Sequence, residues 1–82
     1  MKRSTPKSGK TVSIDWRAVG RRIRELRGFD MTQEDFARQI GISQGYLSSI
    51  ERGEKEAGSA ILLTIGTDFG KSVDWLLTGK EK

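Results

Sequence analysis

Glycine stands at positions 28, 41, 53, 70 and 79, and each one follows a stretch long enough for only a short helix. A left-handed residue after a helix lets its last carbonyls find partners, and glycine adopts that conformation without steric penalty. The other ends of these stretches are marked as well. Ser13 or Asp15 opens the first, and Thr32, Ser43 and Ser72 open the second, third and fifth. Their side-chain oxygens can accept from the free N–H groups of a first helical turn. Punctuated in this way, the chain reads as a series of short helices with tight connections.

The apolar residues supply the inward faces. Trp16, Val19, Ile23 and Leu26 recur at spacings of three, four and three, which places them on one side of a helix over 15–27 with arginines on the other. In "TQEDFARQIG", Glu34 and Asp35 meet the helix dipole in the first turn, and Phe36, Ala37 and Ile40 point inward. After the tight "GIS" turn, a third helix over 44–52 turns Leu47 and Ile50 inward. A fourth, from about Ser59 to Phe69, buries Leu62, Ile65 and Phe69, and "VDWLL" forms a short fifth. The expected fold is all-α: one domain of five helices over 14–79, followed by a tail at 80–82. Trp16, Phe29, Phe36 and Phe69 are expected in the core. Tyr46 is expected at the helix edge, with its ring packed and its hydroxyl in water.

Composition excludes several kinds of chemistry. The 82 residues contain no cysteine and no histidine, so disulfides, thiolate or imidazole zinc sites and histidine-activated nucleophiles are absent. No glycine-rich phosphate loop or paired-carboxylate motif stands out either, so the expectation is a non-enzyme with no metal, no cofactor and no small-molecule substrate. The longest apolar run is "AILL", residues 60–63, against the ~20 residues of a membrane span. The basic start, "MKRSTPKSGK", is not followed by the apolar stretch of a secretory signal, which points to the cytoplasm.

The net charge of +4 is confined to that start: Lys2, Arg3, Lys7 and Lys10 supply all of it, leaving 14–82 formally neutral. Residues 1–13 are too polar to offset the entropy of ordering and read as a flexible basic arm. A surface for a polyanion on the folded part must therefore be local. With Leu47 and Ile50 inward, helical periodicity turns Gln44, Gly45, Ser48, Ser49 and Arg52 outward. Gln44, Ser48 and Ser49 both donate and accept hydrogen bonds, as reading base edges in a DNA major groove requires. Two short helices across a glycine turn are the sequence form of a helix-turn-helix.

"TQEDFARQIGISQGYLSSIERG" and "SVDWLLTG" resemble the Xre-like helix-turn-helix family, which includes the lambdoid phage repressors and Cro proteins, and the resemblance spans nearly residues 16–79. It implies a five-helix, lambda-repressor-like domain with the helix-turn-helix at helices two and three. It further implies a transcriptional regulator, in most cases a repressor, that binds an inverted-repeat operator in double-stranded DNA as a homodimer. By the same resemblance Gln44 reads a base, and Gly45, Ser48 and Ser49 face the same groove. Gln33 contacts a phosphate and pairs with Gln44, and the backbone at Thr32 and Gln33 offers N–H groups to that phosphate. Arg27 and Glu51 correspond to an ion pair that aims the arginine at the DNA backbone. Arg52, Gly53 and Lys55 flank another phosphate, and Trp75 and Leu77 meet the partner subunit.

Three features depart from the family pattern. Gly45 stands where many relatives carry a side chain, Glu54 and Glu56 surround Lys55 where relatives are often basic, and "RGFDM" is one residue shorter than the commonest connection. Antitoxins and restriction-modification controllers that regulate their own operons share this fold and size. A protein-interaction module that kept the fold without the operator is the alternative from a different class.

Overall fold

The computed structural model describes residues 12–80. The expected basic arm, apart from its last two residues, and Glu81 and Lys82 of the tail lie outside the described residues. Five helices follow in order: α1 (Trp16–Arg27), α2 (Gln33–Ile40), α3 (Gln44–Glu51), α4 (Ser59–Phe69) and α5 (Val73–Thr78), with no strand among the described residues.

Local chemistry sets the ends. Asp15, not Ser13, caps α1, its Oδ1 accepting from the Ala18 N–H at 3.2 Å. Thr32, Ser43 and Ser72 accept from the backbone N–H groups of Asp35, Tyr46 and Trp75, at 3.0, 3.1 and 2.9 Å. Caps of this kind are each worth about 1 kcal/mol. The five punctuating glycines all have positive φ.

Val19, Ile23, Phe36, Leu47, Ile50, Ile65 and Leu76 are fully buried in one core, to which all five helices contribute. α1 packs across α3 and α5, and α2 lies between α3 and α4. The rings of Phe36 and Phe69 stack with centroids 5.1 Å apart. Burying side chains of this size stabilises the fold by about 1.5–3 kcal/mol each. No described buried side-chain polar atom lacks a hydrogen-bond partner.

Gly20, in the middle of α1, sits where α1 meets the C-terminal end of α3. A Cβ there would lie 2.3 Å from the Ile50 carbonyl oxygen and 2.6 Å from that of Glu51. Both are backbone atoms, so only glycine permits this approach.

One expectation fails. Phe29 is not in the core but fully exposed. Gly28, with φ of 69°, turns the chain so that Phe29 projects outward, and Met31 is the residue of this connection that packs against the core. Tyr46 packs its ring against the core at the helix edge, and its exposed hydroxyl donates to the Glu56 carbonyl at 3.1 Å, which ties α3 to the loop after it.

Candidate nucleic-acid interface

The turn between α2 and α3 is closed by backbone bonds. The Gly41 N–H donates to the Ala37 carbonyl at 2.8 Å, and the Ile42 N–H donates to the same carbonyl at 2.9 Å. Ile42 packs against the core, and Ser43 caps α3 at once, so the angle between the two helices is set within three residues.

With Leu47 and Ile50 buried, the other face of α3 carries Gln44 and Gly45 in the open, Ser48 and Ser49 half-buried, and Arg52 exposed just past its end. A Cβ added at Gly45 would meet nothing within 4 Å. The face is polar and carries no aromatic or large aliphatic side chain, a chemistry that a major groove admits.

One carboxylate holds this face in place. Arg27 of α1 donates from Nε and Nη2 to Glu51 Oε2 and Oε1 at 2.8 and 2.9 Å, and from Nη1 to the Met31 carbonyl at 3.1 Å. Gln33 Nε2, on α2, donates to the same Glu51 Oε1 at 2.9 Å. The Glu51 side chain is 4% exposed and that of Arg27 14%, so the pair is largely out of water. The side-chain hydrogen bond to Glu51 keeps the Arg27 guanidinium more firmly protonated than usual, against the opposing effect of desolvation. The shortened "RGFDM" connection thus still lets Arg27 reach Glu51. No hydrogen bond joins Gln33 to Gln44 in the free chain; the Gln33 Nε2 donates to Glu51, which leaves its carbonyl oxygen and second N–H available.

The loop after α3 is fixed with similar economy. The Gly53 N–H donates to the Ile50 carbonyl at 3.0 Å and the Glu54 N–H to the Ser49 carbonyl at 2.9 Å, the paired bonds of a Schellman ending. Gly53 has φ of 77°, and a Cβ there would lie 2.7 Å from Arg17 Cα, so no other residue fits. This ending brings Glu54 back beside Arg52. Arg52 donates from Nε and Nη2 to the two Glu54 carboxylate oxygens at 3.0 and 2.9 Å, and from Nη1 to Ser48 Oγ. The hydrogen bond to Arg52, reinforced by its charge, holds the Glu54 carboxyl below its usual range. In the sequence Glu54 stands out only as an acidic neighbour of Lys55 where relatives are often basic. Gly20 was also missed, although an isolated glycine one residue after inward-facing Val19 hinted at a close contact.

The Helix-turn-helix family model matches residues 21–76. The chain belongs to the Cro/C1-type helix-turn-helix family. It is similar to the uncharacterized HTH-type transcriptional regulator YazB of Bacillus subtilis, 48% identical over 60 residues that cover 70% of this chain and 84% of YazB. Its fold is similar to that of the P22 c2 repressor solved in complex with a synthetic operator, with a TM-score of 0.69, 32% identity, and coverage of 76% of this chain and 96% of the repressor. It is also 32% identical over 63 residues to the propionyl-CoA carboxylase regulator of Cereibacter sphaeroides; the match covers 76% of this chain but spans only 14% of that protein.

In this helix-turn-helix domain, Trp75 and Leu77 are half-buried and pack against the core. Lys71 Nζ lies 4.8 Å from the centroid of the Trp75 ring, and Arg22 Nη1 donates to the Leu76 carbonyl at 2.8 Å, which docks α5 on α1. Among the described residues no group of carboxylates could hold a metal ion, and no helix is long and apolar enough to cross a membrane.

Proposed function

We propose that this chain is a sequence-specific double-stranded DNA-binding transcriptional repressor, acting by occupancy of an operator rather than by catalysis, in the cytoplasm. The observation that carries this reading is the exposed polar face of α3, clamped to α1 and α2 through a single buried carboxylate. A reader of base edges must enter the groove at one fixed angle, and the Arg27–Glu51–Gln33 cluster supplies that rigidity.

In this reading Gln44 takes bidentate hydrogen bonds to adenine, and Gly45, Ser48 and Ser49 line the same groove. The Thr32 and Gln33 backbone and Arg27 receive one phosphate; Arg52, Gly53 and Lys55 flank another. One short helix reads few base pairs, so two copies joined through Trp75 and Leu77 would read an inverted repeat with half-sites ~34–36 Å apart.

The test is selection of bound duplexes from a random DNA pool, with wild type and Gln44→Ala in parallel. Enrichment of an inverted repeat, with preference lost at one base pair per half-site in the variant, is the expected result. Two chains per duplex by sedimentation would establish the dimer. A pool returned without enrichment would overturn the reading and favour the protein-interaction module.

A further inference from the structure

We propose that Glu54 is an intramolecular stand-in for a DNA phosphate: it occupies the guanidinium fork of Arg52 in the free chain and thereby sets the ratio of operator to nonspecific affinity. The inference rests on the DNA-binding reading above and names a specificity-determining residue within that same surface.

Carboxylate and phosphate oxygens take the same bidentate geometry on arginine. Both oxygens of Glu54 are engaged in that geometry, at 3.0 and 2.9 Å. The placement is built into the backbone, because the bond from the Glu54 N–H to the Ser49 carbonyl returns this residue to the end of α3. The Tyr46 hydroxyl on the Glu56 carbonyl and the burial of Ala57 then hold the rest of the loop. The remaining contact of the guanidinium, with Ser48 Oγ, lays Arg52 along the face that carries Gln44 and Ser49. Arg52 is therefore presented to DNA, with its fork already filled.

The pair is exchangeable. Its side chains are 55% and 58% exposed, so water screens the attraction and a phosphate can reach the fork. The loop as a whole carries Arg52 and Lys55 against Glu54 and Glu56 and is formally neutral. Nonspecific binding comes almost wholly from phosphate neutralisation, whereas operator binding adds base contacts that fix the register. A loosely held nonspecific complex offers Arg52 no fixed phosphate, and Glu54 keeps the fork. Operator docking fixes one phosphate beside Arg52, and the carboxylate yields. Glu54 thus lowers affinity for the wrong DNA more than for the right one.

The experiment compares wild type, Glu54→Gln, Arg52→Gln and the double variant on a duplex carrying the selected operator and on the same duplex scrambled. Affinity is titrated between about 50 and 200 mM salt, where one additional neutralised phosphate steepens the log–log slope by about 0.9, roughly a 3.5-fold effect. Glu54→Gln is expected to bind the scrambled duplex several-fold more tightly at low salt with that steeper slope, and to gain less on the operator. The gain should vanish in the double variant, and Arg52→Gln alone should weaken operator binding more than binding to the scrambled duplex. An unchanged slope for Glu54→Gln, or weaker binding to both duplexes, would overturn the proposal and make Glu54 a prop for Arg52. Wild type that binds neither duplex overturns the DNA-binding reading itself, and this inference with it.

Discussion

Arg27 and Glu51, the last residues of α1 and α3, meet side by side with two hydrogen bonds of 2.8 and 2.9 Å between them. Because Gln33 at the start of α2 donates to the same carboxylate, three helix ends are referred to one point. This point lies beside the exposed end of the recognition face, so the residues that set the fold's angle there also border the surface that would meet phosphates.

Glu51→Ala should therefore destabilise the domain by about 3 kcal/mol, the lower end of the range for breaking a buried pair, because Arg27 would be left without its counter-charge. Replacing both partners with apolar residues, Arg27→Met with Glu51→Leu, should recover most of that loss. Urea unfolding measures the stability. DNA titration of the double variant should still show weakened binding, since the arginine proposed to meet a phosphate is gone.

Gly20→Ala tests the close contact of α1 with α3. Alanine is worth about 1 kcal/mol in helix propensity at such a position, so an open site would be stabilised. Here the added Cβ falls 2.3 Å from a backbone oxygen that has no rotamer to change. Overpacking of this kind costs about 1–3 kcal/mol, and the two helices must part to relieve it. The urea midpoint should fall with the slope unchanged, and α3 should be displaced enough to weaken operator binding as well.

Phe29→Ser should leave stability within about 0.5 kcal/mol of wild type, the usual range for a surface site, because the ring is fully exposed. A larger loss on thermal unfolding would mean that the ring packs in solution.

That residue also marks where sequence reading stops. Most helix ends were legible because they are local events, a hydroxyl or carboxylate accepting from a nearby N–H or a glycine at positive φ; the start of α4, at Gly58, has no side-chain cap. The inward faces of α1, α2, α3 and α4 followed from periodicity. Phe29 sits in a connection, where no periodicity applies and hydrophobicity alone argues for burial, so Met31 could not be told from it. Gly20 and Ile50 are distant in sequence, so a lone glycine inside α1 hints at a close approach without naming the backbone it meets. At the candidate site, the outward position of Gln44, Ser48 and Ser49 was readable from Leu47 and Ile50. The fork between Arg52 and Glu54 and the diversion of Gln33 to Glu51 depend on which of several polar partners is nearest, and that is decided by the packing.

Gly45→Ala separates stability from recognition at the recognition face itself. The position lies in the first turn of α3 and a Cβ there meets no protein atom, so alanine should raise stability by about 0.5 kcal/mol, less than in a helix interior. If Gly45 allows the backbone of α3 to approach the base edges, the same methyl group must occupy space that the DNA takes, and operator affinity should fall about tenfold, the equivalent of about 1.4 kcal/mol. Binding to the scrambled duplex, held through phosphates, should stay unchanged. Unchanged affinity for the operator, with the gain in stability present, would show that glycine is merely tolerated there, and that the groove is entered by the side chains of Gln44, Ser48 and Ser49 alone.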